Sequence, residues 1–178
     1  LRTENTDSGW HKSCIKRFFG TAELPVIAID EVAFEALATE STNKGYTVPG
    51  VQKKLSLHLF SEGNTPRLTL VNYPTGYILK PQVPEFEALP QAEQLVMCMA
   101  DAAGIVTVPH ALIMGKDGPA YITKRVDRIF TKNKMQMLAM EDFCQLDLRL
   151  TQDKYKGSYE RCAKIIERYS SRKGLDIT

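Results

Sequence analysis

No two cysteines of this chain stand close together. Its four, Cys14, Cys98, Cys144 and Cys162, are scattered without a CxxC unit, which argues against a zinc site and a disulfide framework. Cys98 and Cys162 fall on or beside the apolar faces of predicted helices and read as buried thiols. A reducing, cytoplasmic setting fits that usage. The three histidines, His11, His58 and His110, make neither an HxH nor an HxxxH pattern, so no metal site is expected. Ser-His and Cys-His nucleophile motifs are missing too. No apolar run approaches the roughly 18 residues of a membrane helix, and no stretch reads as a secretory signal. Charge of one sign is also scarce: 23 basic residues meet 21 acidic ones, for a net charge of +2. That is too little to point to nucleic acid, and no helix-turn-helix or zinc-finger spacing appears.

What is present suits an ordinary globular domain: 178 residues, 43% hydrophobic and 25% charged. The chain opens at Leu1 and closes on GLDIT, which reads as the entry to another apolar element; a piece of a larger protein is expected. Residues 1–8 are polar. Trp10 to Phe19 suits a short helix carrying Trp10, Cys14, Ile15 and Phe18. IDEVAFEALATE, with a cap at Asp30, has Val32, Phe34, Leu37 and Ala38 at helical spacing. From Lys54 the period switches to two. KLSLHLF and RLTLVN, parted by the turn formers SEGNTP, read as a hairpin, and TGYILKP as a third strand. Pro90 suits the first turn of a helix in which Ala92, Leu95, Val96, Met99, Ala100 and Ala103 make one clean apolar face. Gly104 ends it. VPHALIMGKDGPAYITKR reads as strand, turn, strand. MQMLAM suggests a further strand and EDFCQL a helical turn. Gly157 to Tyr169 suggests a helix with Tyr159, Cys162, Ala163, Ile166 and Tyr169 on one face. This order is an α+β pattern with a mostly antiparallel sheet.

Several residues could carry chemistry. Lys80 follows the inward-leaning Ile78 on one strand face, and a partly buried ammonium needs an anionic partner. Glu93, at the rim of the apolar face of the next helix, could supply it. A strand lysine held by a helix glutamate is how kinases grip nucleotide phosphates, although spacing alone favours a solvated lysine at a strand end. Gly50-Val51-Gln52-Lys53-Lys54 could form an anion-binding nest of backbone N–H groups with lysine charge beside it. It is neither a Walker A motif nor a GxGxxG, and a turn with surface charges remains open. Lys124, Arg125, Asp127 and Arg128 could line a cleft or form surface ion pairs. Glu141 and Asp142 are adjacent, and neighbours on a helix do not face each other, so helix capping is their expected role.

Taken together, GVQKKLSL, GYILKP, ALPQAEQLVMCMADAAGI, YITKRVDR and MEDFCQL resemble, in order and spacing, the N-terminal lobe of HipA-family serine/threonine kinases, the toxins of bacterial toxin–antitoxin systems. WHKSCIKRFFG upstream is also typical of HipA-like proteins. The resemblance runs roughly from Trp10 to Tyr159. It implies a kinase-like fold with an N-lobe sheet of about five strands. The implied organisation is a helical extension over 1–45, a nucleotide-binding N-lobe over 46–128, and a hinge with the start of a helical C-lobe over 129–178. It also implies that Pro49, Gly50, Val51, Gln52, Lys53 and Lys54 form a phosphate loop. Lys80 would then touch the ATP phosphates, Glu93 would hold Lys80, and Lys124, Arg125 and Val126 would form the segment that meets adenine. Val126 stands where an aromatic is common. Thr47 occupies about the place of the family's regulatory phosphorylated serine.

Two departures matter. The family's catalytic GNxDxHxKN pattern and its metal-binding Asp do not occur in these 178 residues. No catalytic residue is therefore assigned, the Mg ligands are expected beyond Thr178, and this chain alone should not transfer phosphate. The N-terminal subdomain of full-length HipA also has no counterpart here, as in the short HipT-like toxins, where it is a separate small protein. The expected ligands are ATP and Mg. The expected partners are a HipB-like antitoxin, a protein substrate and that separate subdomain-like protein, with no direct contact to nucleic acid or membrane. The competing expectation is a non-enzymatic HipA-like module that binds an antitoxin or a kinase core through its first forty residues and the SEGNTP hairpin.

Overall fold

The computed structural model describes residues 9–27, 54–60, 65–69, 76–115, 118–131 and 135–177. These divide into two compact units, with the break after Met137.

The first unit opens with α1 (Lys12–Phe19), whose Ile15, Phe18 and Phe19 are buried at positions i, i+3 and i+4. The helix stops at Gly20, which takes φ 77° and donates its N–H to the Lys16 carbonyl at 2.9 Å. Glycine adopts this left-handed turn without the penalty a Cβ would bring. Trp10 packs its indole against Phe18 and Phe19, at centroid distances of 5.8 and 5.5 Å.

Among the described residues a six-stranded sheet follows: β1 (Val26–Ile27), β2 (Leu55–Phe60), β3 (Arg67–Thr69), β4 (Tyr77–Pro81), β5 (His110–Gly115) and β6 (Gly118–Lys124). The spatial order is β1-β3-β2-β4-β6-β5. Every pairing is antiparallel except β1 on β3. The sheet is thus mostly antiparallel and α+β, as expected, and the expected hairpin is the β2–β3 pair. The count of about five strands falls one short. The additional strand is β1, whose two residues are too few to show a period. A two-stranded ribbon, β7 (Arg128–Phe130) with β8 (Met135–Met137), completes the unit.

Side-chain alternation along the strands gives the sheet two different faces. Leu55 pairs with Leu79, Leu57 with Tyr77, and Leu79 with Ile122. These residues are buried with Ile15, Phe18, Phe19, Leu68, Ile113 and Ala120 in one core under α1. The alternate residues Ser56, Ile78, Lys80, Tyr121 and Thr123 occupy the other face.

α2 (Leu89–Ala102) lies against β5 and β6. Pro90 sits in its first turn as expected, and the chain leaves it through Gly104 at φ 81°. Its apolar stripe corrects the sequence reading. Leu95, Val96 and Met99 are each more than 60% exposed, and the helix meets the sheet through Glu93, Gln94 and Asp101 instead. The sheet face beneath mixes Ile78 and Leu112 with Lys80, Tyr121, Thr123 and His110, so hydrophobic periodicity alone is no guide to the side that docks. Cys98 on this helix is exposed, not buried.

The second unit is helical. α3 (Phe143–Leu146) begins with a capping box: Asp142 accepts from the Gln145 N–H at 2.9 Å, and Gln145 Oε1 accepts from the Asp142 N–H at 2.9 Å. Asp142 is thus the capping residue of the adjacent carboxylates. Burial disfavours its charged form and pushes the pKa up, but Lys154 at 2.6 Å and the cap N–H outweigh that and hold it below the usual range. α4 (Tyr159–Tyr169), capped by Ser158, and α5 (Lys173–Asp176) follow. Tyr159 and Tyr169 are exposed and Ile165 is the buried residue of α4, which rotates its apolar face away from the predicted one. No helix among the described residues is long and apolar enough to cross a membrane.

Candidate nucleotide site

β4 ends on the α2 face of the sheet with Lys80, opposite Tyr121 of β6. The ammonium lies 5.4 Å from the centre of the Tyr121 ring and forms an ion pair with Glu93 Oε1 on α2. Both side chains are about three-quarters buried. This is the strand-lysine to helix-glutamate pair expected from the sequence. A lysine ammonium has three donors, and Glu93 takes one. Glu93 Oε2 is buried and has no hydrogen-bond partner among the described residues. The pair therefore retains donors on Lys80, a chemistry suited to phosphate oxygens.

Burial, followed by the charges of Glu93, Cys98 and Asp101, pushes the Tyr121 phenol well above its ordinary range. Tyr121 is therefore a neutral platform under Lys80 rather than an acid–base group.

Residues 124–126 separate from one another. Lys124 turns to the α1 face, where its ammonium lies 5.6 Å from the Phe18 ring and donates to the Arg17 carbonyl at 3.5 Å. Burial lowers its pKa. Arg125 turns to the Lys80 face. It grips Asp127 through two hydrogen bonds, Nε to Oδ1 at 2.9 Å and Nη2 to Oδ2 at 2.5 Å, and donates to Ser56 Oγ on β2 at 3.2 Å. Arg128 Nη1 reaches the same Asp127 at 2.5 Å. These charges are buried together, Asp127 to 7% side-chain exposure, and do not form a surface pair. The hydrogen bond from Arg125 comes first among the causes that hold the Asp127 carboxyl below its usual range. Val126 is exposed. Lys54 lies half-buried just before β2. Thr47, Pro49, Gly50, Val51, Gln52 and Lys53 lie outside the described residues.

One group was passed over in the sequence because it matches no metal pattern. His110, at the start of β5, places Nδ1 3.0 Å from Gln94 Oε1 and Nε2 3.0 Å from Asp101 Oδ2, both on α2. Its ring stacks on Tyr121.

Residues 46–177 match the model of the HipA-like C-terminal domain. That is well over half of the chain, which therefore belongs to this family. No curated protein matches. Among solved structures, the chain is similar to a chain of the Shewanella oneidensis MR-1 toxin–antitoxin system complex of HipA, HipB and its operator DNA, with 18% identity and a TM-score of 0.50. The similarity covers 79% of this chain and 40% of that one, so this chain spans about two-fifths of the length of that relative. At this identity the likeness concerns the fold, and the polar site is placed within that fold.

Proposed function

We propose that this chain is the nucleotide-binding portion of a HipA-like, ATP-dependent serine/threonine protein kinase that acts as the toxin of a bacterial toxin–antitoxin system. The observation that carries the reading is the Lys80–Glu93 pair, bridging β4 and α2 with one carboxylate oxygen that has no hydrogen-bond partner among the described residues. In this reading Glu93 holds Lys80 in place and Lys80 takes phosphate oxygens of ATP. Pro49, Gly50, Val51, Gln52, Lys53 and Lys54 are the proposed phosphate loop, and Thr47 is the proposed regulatory phosphorylation site. Arg125 stays on the site's face of the sheet as an anchor between β2 and the ribbon, because Asp127 already uses two of its donors. Bound Mg would neutralise phosphate charge, with ligands from outside these 178 residues. The chain then binds ATP without transferring phosphate. A HipB-like antitoxin is the proposed partner, by analogy with the HipA and HipB of the Shewanella complex, and the setting is cytoplasmic.

Titration calorimetry of the 178-residue chain with Mg-ATP tests this. Saturable binding is expected, weakened at least about tenfold in Lys80→Ala by loss of charge-assisted hydrogen bonds. No heat and no shift in Tm at millimolar Mg-ATP would sink the proposal and favour the non-enzymatic antitoxin-binding module.

A further inference from the structure

Beyond Glu93, the underside of α2 is the clearest feature that the nucleotide reading does not use. This helix docks on the sheet with polar side chains while its apolar stripe is exposed. The contacts form a closed circuit. Glu93 pairs with Lys80, Lys80 lies over Tyr121, Tyr121 stacks on His110, and His110 returns to α2 through Gln94 and Asp101. Gln94 and Asp101 stand seven residues apart, two turns on one side of the helix. The imidazole of His110 thus touches two turns of α2 at once from a fixed strand position, and its side chain is only 6% exposed.

Asp101 adds an independent sign. It lies in the last turn of α2, where a carboxylate opposes the partial negative charge of the helix C-terminus. On helix grounds alone it is the wrong residue there. Yet it is held by the Thr107 hydroxyl and by His110, and both hydrogen bonds lower its pKa. The residue is held by contacts to Thr107 of the following loop and to His110 of β5, against the sense of its helix dipole.

We propose that His110, gripped by Gln94 and Asp101, is the positioning residue that seats α2 on the sheet and thereby sets Glu93 against Lys80. Its consequence for nucleotide binding rests on the reading of the previous subsection; its consequence for α2 does not. The groups facing His110 are Gln94 and Asp101 of α2, with Tyr121 of β6 beneath the ring and Thr123 as its register partner.

Amide hydrogen exchange on the full chain tests the positioning. Asp101→Ala gives the two accounts opposite signs. If Asp101 is only a helix residue, removing the carboxylate and installing alanine slows exchange in α2. If it seats the helix, exchange over residues 92–100 speeds up by roughly tenfold while β2 and β4 are unchanged. His110→Ala should do the same. His110→Gln, whose amide can still donate to Asp101, should recover most of the protection. Unchanged or slower exchange in α2 of Asp101→Ala overturns the proposal, as does faster exchange spread evenly over β2 and β4. A second readout is Mg-ATP affinity. His110→Ala should weaken it in the native background and add little to Glu93→Gln, because both act through one pair. If native chain binds no Mg-ATP, the nucleotide reading fails, and the exchange data still decide the role of His110.

Discussion

The same strands present one face to α1 and another to α2, and the two helices are held by opposite physics. Under α1 the sheet offers Leu55, Leu57, Tyr77, Leu79, Ile113 and Ile122, and the helix answers with Ile15, Phe18 and Phe19. Under α2 the sheet offers Lys80, Tyr121, Thr123 and His110 beside Ile78 and Leu112, and the helix answers with the buried Pro90 and with Glu93, Gln94 and Asp101 at hydrogen-bond distance. Apolar packing is non-directional and scales with area. Ion pairs and hydrogen bonds depend on distance and angle. The first helix is therefore fixed firmly with loose geometric demands, and the second is fixed less firmly but at defined atoms. The phosphate grip proposed for the second face needs contacts of that directional kind.

The strongest blow to this contrast falls on the apolar side. Leu57→Ala removes a fully buried side chain and is expected to lower stability by about 2–5 kcal/mol, read as a drop in Tm of the 178-residue chain. Next comes the polar side. Glu93→Ala strands the Lys80 ammonium, and about 1–3 kcal/mol of stability should be lost. Affinity for Mg-ATP should fall with it. If Glu93→Ala matched Leu57→Ala in Tm and left affinity alone, the two faces would not differ as described.

Two pH limits sharpen the comparison. Burial raises the Tyr77 phenol, in the apolar core, from 10.0 to about 12. The folded state keeps that proton longer than the unfolded chain does. Its contribution is whole below pH 10.0 and is lost as the pH climbs towards about 12. Tyr77→Phe should remove this alkaline step from a stability–pH profile. Asp127 behaves in the opposite sense. Its carboxyl is lowered from 3.8 in the folded state, so its contribution is present above that value and lost as the pH falls below it. Asp127→Asn should flatten the acid limb of the same profile. The smallest effect belongs to the exposed stripe of α2. Val96→Ser should change stability by no more than about 0.5 kcal/mol, whereas the same change inside a core would not be tolerated.

The alternation of Leu55, Leu57 and Leu59 was enough to place β2 and its buried face, because a strand half in water has to alternate. The α1 spacing was legible for a similar reason, whereas the Lys80–Glu93 pair became legible through the family resemblance, since spacing alone favoured a solvated lysine. The docking side of α2 was not legible. Its apolar stripe is the stronger periodic signal, and nothing local in the sequence tells that the sheet face waiting for it is partly polar. His110 needed Gln94 and Asp101 brought back to it by a turn of chain, a tertiary fact. Arg125, Asp127 and Arg128 read as surface charges because their mutual pairing, and the contact of Arg125 with Ser56 of β2, are tertiary facts. The two residues of β1 carry no period at all.

Trp10 donates its indole N–H to the Leu112 carbonyl at 3.1 Å, across 102 positions of sequence. Among the described strands β5 is an outer one, and an outer strand with bare carbonyls invites a foreign strand to pair with it. The indole occupies one of those sites. It is also the chain's single tryptophan, so its fluorescence is a native optical gauge of whether that border is guarded, readable without any label as the protein is heated, crowded or concentrated.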